Sequence, residues 1–174
     1  MQHPLQSERL YYRELLPSDD AAMFLLDSNE AVHRHLGNNP YTDISQSREY
    51  IANVRAQYTR YGMGRMAAFL KETDEFIGWG GLKLEHNVNG HGQFYDLGYR
   101  LLPQFWGKGY ATESARFFIE YGFAVKDIKI INATALRANK ASCKALVKSG
   151  LTEIESFDYN GEEAVWFEVV NPVL

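Results

Sequence analysis

Two glycines one residue apart, Gly107 and Gly109, lie between a predicted strand over residues 94–102 and a predicted helix over residues 110–124. Glycine adopts backbone conformations that other residues resist, and the first turn of a helix leaves N–H groups without partners. Those N–H groups and the positive end of the helix dipole attract anions. The spacing therefore predicts a phosphate or pyrophosphate site, although an ordinary strand-to-helix turn can carry the same two glycines.

Three phosphate-binding patterns can be compared with this loop. The Walker A pattern requires Gly, four residues and then Gly-Lys-Ser or Gly-Lys-Thr, and the segment 107–110 lacks that spacing. The dinucleotide fingerprint requires a small residue three places after its second glycine, where this chain has Thr112, and no βαβ start is predicted before the loop. The third pattern is Gln or Arg, two residues, Gly, one residue, and Gly or Ala. It is matched from Gln104 to Gly109, so the first two patterns are disfavoured.

The third pattern, together with several other segments in the same order, resembles the GNAT superfamily of acetyl-CoA-dependent N-acyltransferases. The branch it resembles most contains the ribosomal-protein N-terminal (alanine or serine) acetyltransferases. The resemblance covers nearly the whole chain and is sharpest between residues 105 and 113. The segments that carry it are 8–13 (Glu-Arg-Leu-Tyr-Tyr-Arg), 76–82 (Phe-Ile-Gly-Trp-Gly-Gly-Leu), 97–101 (Leu-Gly-Tyr-Arg-Leu), 105–113 (Phe-Trp-Gly-Lys-Gly-Tyr-Ala-Thr-Glu), 139–142 (Asn-Lys-Ala-Ser) and 148–151 (Lys-Ser-Gly-Leu).

This resemblance implies acetyl-CoA as the co-substrate, with no metal. It implies that the pyrophosphate lies on the backbone amides of Gln104 to Gly109, and that the pantetheine arm pairs with the strand at residues 99–102 like an additional strand. Asn139 would contact a pantetheine amide and also cap the helix that follows it. The predicted cofactor-binding residues are Leu101, Leu102, Gln104, Phe105, Trp106, Gly107, Lys108, Gly109, Tyr110, Ala111, Thr112 and Asn139.

Acyl transfer to an amine needs a proton acceptor. The amine must attack the thioester carbonyl while neutral, and alkyl ammonium groups titrate near ~10 and α-amino groups near ~8. A base or a chain of waters must therefore remove a proton. Asp96 is the predicted base, because it lies two residues before Gly98 on the strand that leads to the loop, where acids often serve in this superfamily. A carboxylate on the solvent face of the strand is the alternative interpretation.

The leaving thiolate benefits from a proton donor. Many members of the superfamily have a Tyr at the position where this chain has Leu146, which cannot donate a proton. The resemblance to the ribosomal-protein branch implies Ser142 instead, since Asn139 and Ser142 form its Asn-x-x-Ser pattern. The alternative for Ser142 is a hydroxyl that caps its own helical turn.

The remaining cysteine and histidine residues give weak signals. Cys143 follows Ser142, but no histidine lies at a telling distance, so a buried helical thiol is favoured over a nucleophile. His86 and His91 lack Cys or acid partners at metal-ligand spacing. The sequence therefore predicts no metal site.

The elements that must position these residues alternate between strands and helices that share one core, which predicts an α/β GNAT fold. The expected architecture is a mixed central sheet of about six to seven strands flanked by helices, with residues 1–174 as a single N-acetyltransferase domain. Strands are predicted at 9–14, 65–71, 76–84, 94–102, 129–136, 151–159 and 162–170, helices at 17–27, 30–36, 44–61, 110–124 and 139–149, and a loop at 86–92. The third helix is expected to begin at a capping box formed by Asp43 and Gln46.

Composition limits the partners and the compartment. A chain of 174 residues with 45% hydrophobic and 14% aromatic residues fits a compact domain with a buried core. The net charge of −4 argues against nucleic acid as a partner. A single cysteine, the absence of a signal-peptide pattern at Met1 to Leu5, and the lack of a membrane-length apolar run indicate a cytoplasmic protein. A homodimer is left open.

These patterns do not specify the acceptor. It could be a protein N-terminal amine or a small-molecule amine, and the helical region at 18–61 is expected to form the acceptor-side wall, with Arg34, Asn38 and Tyr41 as lining. The alternative function is a non-catalytic acyl-CoA sensor or interaction module with a GNAT-like fold. Ser142 favours catalysis, whereas the missing tyrosine at residue 146 favours the sensor.

Overall fold

The computed structural model describes residues 5–173, so the expectation about the first residues, Met1 to Pro4, lies outside it, as does Leu174. The strands are β1 (Leu5–Gln6), β2 (Leu10–Glu14), β3 (Met66–Leu70), β4 (Phe76–Val88), β5 (His91–Leu101), β6 (Ile130–Leu136), β7 (Thr152–Tyr159) and β8 (Glu162–Val170). The helices are α1 (Asp20–Asp27), α2 (Glu30–His33), α3 (Ile44–Tyr61), α4 (Tyr110–Ala124) and α5 (Lys140–Lys148), with 3-10 turns at Pro17–Asp19 and Pro103–Phe105. In this range no helix has both the length and the apolar character needed to cross a membrane.

The strands of the described range form one sheet in the order β1-β2-β3-β4-β5-β6-β8-β7. Neighbouring strands are antiparallel except β5 and β6, which are parallel. The predicted α/β fold with a mixed sheet is therefore confirmed. The sheet has eight strands, one beyond the predicted six to seven, because the two residues of β1 pair with β2 at its edge.

The hairpin of β4 and β5 is longer than predicted. The expected loop over residues 86–92 is wrong, because β4 continues to Val88 and β5 starts at His91. Asn89 and Gly90 alone make the turn, with φ of 49° and 74°, and positive φ at both central residues suits the twist of paired strands. Most residues of this end of the hairpin are exposed and polar, so it lacks the regular alternation that marks a half-buried strand.

Helices cover both faces of the sheet. Trp79 and Gly80 are consecutive residues of β4 and therefore point to opposite faces. The ring of Trp79 stacks on Tyr50 of α3, with the two centroids 6.4 Å apart. A Cβ placed on Gly80 would lie 3.4 Å from the ring of Phe118 in α4. One face is thus covered by α3 with α1 and α2, and the other by α4 with α5.

The strand β5 presents alternate residues to these two helical layers. Arg100 pairs with Trp79 and so faces the α3 layer, whereas Tyr99 pairs with Gly80 and faces the α4 layer. The same alternation puts Asp96 on the α3 face. The residues of β5 that could take part in chemistry are therefore divided between the two sides of the sheet.

The parallel strands β5 and β6 are joined at a single register pair, Asp96 with Asn132. Beyond it β5 runs on to Leu101 beside β4, whereas β6 runs on to Leu136 beside β8. The two strands therefore part toward their carboxyl ends. Within the described sheet, the outer edge of β5 after Asp96 has no paired strand, and an opening lies between the strands.

Helices α3 and α4 begin in different ways. The Asp43 side chain accepts the N–H of Ser45 at 2.8 Å and the Gln46 side chain accepts the N–H of Asp43 at 3.0 Å, which confirms the predicted capping box of α3. α4 has the predicted bounds but begins differently, with Gly109 at φ 82° and no side-chain cap. Its first N–H groups are thus left for another partner. α2 ends at His33 and is shorter than predicted.

Candidate active site

The glycine loop has a backbone that glycine adopts most readily. Gly107 and Gly109 have φ of 72° and 82°, which is the left-handed region. A Cβ on Gly107 would meet no atom within 4 Å, so the backbone conformation rather than crowding within the chain requires glycine there. These two residues turn the chain from the sheet into α4.

The N–H groups of this segment fall into two sets. Those of Phe105 and Trp106 donate to carbonyls within the 3-10 turn, at 3.0 and 3.1 Å. Glu113 is the first residue of α4 whose N–H joins the helical ladder, by donating to the Gly109 carbonyl at 3.0 Å. The N–H groups of residues 110–112 come before it and have no intrahelical acceptor. The later part of the loop and the first turn of α4 are therefore the part suited to an anion.

The start of the loop is fastened to the sheet. The indole N–H of Trp106 donates to the Leu101 carbonyl at 2.8 Å, and the N–H of Leu102 donates to the Ile77 carbonyl at 2.9 Å. The predicted cofactor residues before α4 differ in burial: Leu101, Leu102 and Phe105 are buried, whereas Gln104, Trp106, Gly107, Lys108 and Gly109 are exposed. The buried residues hold the loop in place, and the exposed ones border the site.

α5 begins beside the opening between β5 and β6. Asn139 is its N-cap residue, and the side-chain oxygen of Asn139 accepts the N–H of Ser142 at 3.2 Å. This confirms the predicted cap. The contact of Asn139 with a pantetheine amide stays a prediction.

Ser142 lies against a tyrosine of β5. The Ser142 hydroxyl is 3.1 Å from the Tyr99 hydroxyl, which also lies 3.2 Å from the Ser142 carbonyl. Burial raises the pKa of Tyr99 to about 12, although the hydrogen bond with Ser142 works in the opposite direction. Tyr99 therefore keeps its proton at neutral pH. Leu146, by contrast, is buried in the core and offers no such group.

Sequence reasoning missed Tyr99 as a partner of Ser142. The two residues are separated by 43 positions, so no local motif joins them. The available signal was the alternation of β5, since Leu97, Tyr99 and Leu101 share a face and Tyr99 carries the polar group among them.

Asp96 lies in a buried ion pair with Arg65. One guanidinium nitrogen of Arg65 donates to the Asp96 carboxylate and the other donates to the Asp96 carbonyl at 2.8 Å. The Asp96 side chain is 13% exposed and the Arg65 side chain is 6% exposed. Asp96 is therefore not an open carboxylate on the solvent face of the strand. Burial raises the pKa of Asp96, and the nearby Arg65 and Lys83 charges oppose that rise.

Gly98 makes room for this ion pair. A Cβ on Gly98 would lie 2.6 Å from a terminal nitrogen of Arg65. The Arg65 guanidinium therefore occupies the space that a side chain at residue 98 would need. Arg65 itself was missed by sequence reasoning, because it is 31 positions from Asp96.

A second buried ion pair lies on the same face of β5. Arg100 donates to the Asp27 carboxylate at 2.5 Å, and Asp27 is fully buried. His33 lies 3.4 Å from the same carboxylate. Burial and the Arg100 charge both lower the pKa of His33, so this imidazole is neutral at pH 7. Asp27 is therefore the counter-charge of Arg100.

The two arginines lie near one indole ring. Arg65 and Arg100 have their guanidinium carbons 5.3 and 5.1 Å from the centroid of Trp79. Tyr50 covers the same ring from α3, and next to it is an open concavity of about 200 Å³. Its lining residues are Tyr41, Gln46, Glu49, Tyr50 and Asn53. Of the residues expected to line the acceptor side, this concavity includes Tyr41 but not Arg34 or Asn38.

Cys143 adjoins Ser142 in a different environment. Its sulfur lies 3.6 Å from the Leu136 carbonyl, and burial raises the pKa of Cys143. A thiol that stays protonated is a poor nucleophile. Among residues 5–173, no group of three or more His, Cys, Asp and Glu side chains is arranged to hold a metal ion.

A family model for the acetyltransferase (GNAT) domain matches residues 9–152. The chain belongs to the GNAT acetyltransferase family. It is therefore an acyltransferase, and enzymes of this family use acetyl-CoA as co-substrate.

Individual relatives agree with this family. The chain is 32% identical over 142 residues to an uncharacterized N-acetyltransferase of Bacillus licheniformis. The alignment covers 82% of this chain and 78% of that protein. A ribosomal α-N-protein acetyltransferase solved with coenzyme A has a TM-score of 0.78 at 16% identity, with 97% of this chain and 98% of that chain covered. A spermidine N-acetyltransferase from Vibrio cholerae, solved with CoA and spermine, has a TM-score of 0.74 at 17% identity, with 94% and 96% covered. These two structures share the fold of the GNAT chain described here.

The buried ion pair of Asp96 and Arg65 generates a prediction about stability. Asp96→Asn should lower the free energy of unfolding by about 3 kcal/mol, because it leaves the buried Arg65 without its counter-charge. Urea denaturation followed by tryptophan fluorescence measures this loss. Asp20→Asn is the matched control, since it breaks the exposed pair with Arg48 and should change stability little.

A second variant separates charge from packing. Combining Asp96→Asn with Arg65→Met removes both charges, so the double variant should be more stable than Asp96→Asn alone. A wild-type unfolding curve for Asp96→Asn would show that the buried Arg65 does not depend on the Asp96 charge.

Proposed function

We propose that this GNAT chain transfers an acetyl group from acetyl-CoA to a primary amine by direct attack within a ternary complex. The observation that carries the proposal is the opening between β5 and β6. Along it lie a strand edge with no paired strand among residues 5–173, the start of α4 with its first N–H groups, and the hydroxyl pair of Tyr99 and Ser142. Acetyl-CoA has three parts that match these groups in order. Its arm has amides for the strand edge, its pyrophosphate suits the helix start, and its thioester suits the hydroxyl pair.

The donor would lie along this path from α4 to the point where the strands meet. Its pyrophosphate would accept hydrogen bonds from the N–H groups of residues 107–112. Its pantetheine arm would add to the edge of β5 at residues 99–102 as a short extra strand, and Asn139 would contact one of its amides. The thioester would then lie near Tyr99 and the Asp96 end of the opening.

The reaction is a balanced exchange of one bond and one proton. The amine nitrogen bonds to the carbonyl carbon, a backbone N–H polarises the carbonyl, and the carbon–sulfur bond breaks. One proton leaves the nitrogen and one joins the sulfur. Asp96 accepts the first, directly or through water, and its raised pKa favours that role.

The second proton comes from the pair of hydroxyl groups on the α4 face. Ser142 is the predicted donor, and Tyr99 is its hydrogen-bonded neighbour. Because burial keeps Tyr99 protonated, it donates a hydrogen bond to Ser142 or to the departing sulfur. The base and the donor thus lie on opposite faces of β5.

Two amine classes are candidates for the acceptor. The structural neighbours include an enzyme named for ribosomal α-N-protein acetylation and one named for spermidine acetylation, so the shared fold accommodates both classes. The concavity beside Tyr50 and Trp79 is the proposed acceptor side, because it lies on the face of β5 that carries Asp96. Its aromatic, amide and acidic lining suits an amine of either class.

The test combines binding and turnover. Acetyl-CoA should raise the melting temperature in a thermal-shift assay, and release of free thiol should then identify the acceptor in a panel of N-terminal peptides and small amines. Binding without thiol release across a broad panel would favour the acyl-CoA sensor. Absence of binding would remove the basis of both functions.

The loop conformation predicts the effect of β-branched residues on donor binding. Gly107→Val or Gly109→Val should weaken coenzyme A binding by about a hundredfold or more, because valine resists φ of 72° and 82°. Isothermal titration with coenzyme A measures the loss. Gly161→Val is the matched control, because Gly161 also has positive φ (87°) but lies in the β7–β8 turn. Retained binding in both loop variants would contradict the assignment.

The hydroxyl pair predicts an effect on turnover rather than on binding. Ser142→Ala should lower kcat by about a hundredfold and leave the KM for acetyl-CoA nearly unchanged, since a proton donor acts as the thiolate leaves. Tyr99→Phe should have a smaller effect of the same kind, and Tyr159→Phe, an exposed tyrosine, serves as the control. Unchanged turnover of Ser142→Ala on the true acceptor would show that the donor assignment is wrong.

A further inference from the structure

Arg9, the residue that precedes β2, contacts the glycine loop and the start of α4, which are about 100 positions away in the chain. Its side-chain Nε donates to Glu113 Oε2 at 2.7 Å, and its backbone N–H donates to Glu113 Oε1 at 2.7 Å. One terminal nitrogen donates to the Lys108 carbonyl at 3.0 Å. The guanidinium carbon lies 4.4 Å from the centroid of the Tyr110 ring. All three partners belong to the loop or to the first turn of α4.

Glu113 poses an electrostatic problem at this position. It is a carboxylate in the first turn of α4, where the proposed function places a pyrophosphate. Two anions at one helix N-terminus repel each other and compete for the same dipole. Burial would raise the pKa of Glu113, but hydrogen bonds from the Arg9 backbone, the Ser7 hydroxyl and the Arg9 side chain hold that pKa below its usual value. The residue is therefore ionised at neutral pH, and the Arg9 guanidinium is the cation beside it.

The contact with the Lys108 carbonyl also orients an amide. In a trans peptide the C=O of Lys108 and the N–H of Gly109 belong to one plane and point in opposite directions. Because Arg9 binds the carbonyl, the N–H of Gly109 points away from Arg9. The guanidinium thus fixes the direction of one loop donor while it neutralises the carboxylate.

We propose that Arg9 is a positioning residue for the pyrophosphate of the acyl donor. It cancels the charge of Glu113 at the start of α4 and holds the Lys108–Gly109 peptide in the orientation that presents N–H groups to the anion. This inference rests on the proposed function, in which the loop binds coenzyme A.

The same contacts could instead serve as a staple that fastens the N-terminal strand to α4. The two roles differ in the expected effect on acetyl-CoA binding when the Glu113 charge is removed as well. If Arg9 acts only as a staple, replacing Glu113 as well cannot restore the binding of acetyl-CoA. If Arg9 shields the pyrophosphate from Glu113, then removing the carboxylate in the Arg9 variant removes the repulsion.

The experiment compares four variants of the full chain by titration with acetyl-CoA: Arg9→Gln, Arg9→Lys, Glu113→Gln and the double variant Arg9→Gln with Glu113→Gln. Arg9→Gln should weaken binding about tenfold, and adding Glu113→Gln should recover at least about threefold of that loss. Arg9→Lys should fall between wild type and Arg9→Gln, because it keeps the charge but loses the forked geometry. Arg48→Gln, which breaks an ion pair with the same 2.7 Å Nε contact on α3, is the matched control and should bind normally.

A truncated donor isolates the pyrophosphate. Acetyl-pantetheine has the thioester and the arm but no pyrophosphate, so Arg9→Gln should raise the KM for acetyl-CoA and leave the KM for acetyl-pantetheine unchanged. An equal rise in KM for both donors would overturn the shielding role in favour of the staple. So would a double variant that binds acetyl-CoA no more tightly than Arg9→Gln. Normal acetyl-CoA binding by Arg9→Gln would overturn any role in donor binding. If the unsubstituted chain binds no acetyl-CoA, the proposed function fails first, and the Arg9 role falls with it.

Discussion

Backbone N–H and C=O groups need hydrogen-bond partners, and the outer edge of β5 after Asp96 has no neighbouring strand within the described sheet. A free edge of this kind is normally a liability, because it can pair with another chain. Here it lies inside the sheet, between β5 and β6, with α4 and α5 on one side. Under the proposed function, the pantetheine arm would supply the missing hydrogen bonds. The opening, the loop that follows β5 and the position of α5 all depend on this one parting of two strands.

The two faces of β5 have different physical characters. The α4 face carries the hydroxyl pair of Tyr99 and Ser142, and burial there keeps the tyrosine protonated. The α3 face carries two arginines beside Trp79, each with its own carboxylate. Buried ion pairs cost about as much in desolvation as they return in attraction, so their effect lies more in fixing side-chain positions than in stability. The two ion pairs and the hydroxyl pair are thus separated by one strand.

Local signals in the sequence were sufficient for several features. The bounds of α4, the capping box of α3 and the Asn139 cap of α5 each depend on residues within a few positions of one another, so their patterns are visible without a structure. The glycine loop was predictable for the same reason. The outer half of the β4–β5 hairpin was not, because most of its residues are exposed and polar and show no regular alternation.

Short motifs in a fixed order were enough to predict the family, the α/β fold and the glycine loop before α4. Which side chains meet depends on the tertiary structure. Arg65 and Asp96 are 31 positions apart, Tyr99 and Ser142 are 43 apart, and Asp27 and Arg100 are 73 apart. No local pattern can relate such residues, because the register of the sheet and the packing of helices on its two faces bring them together.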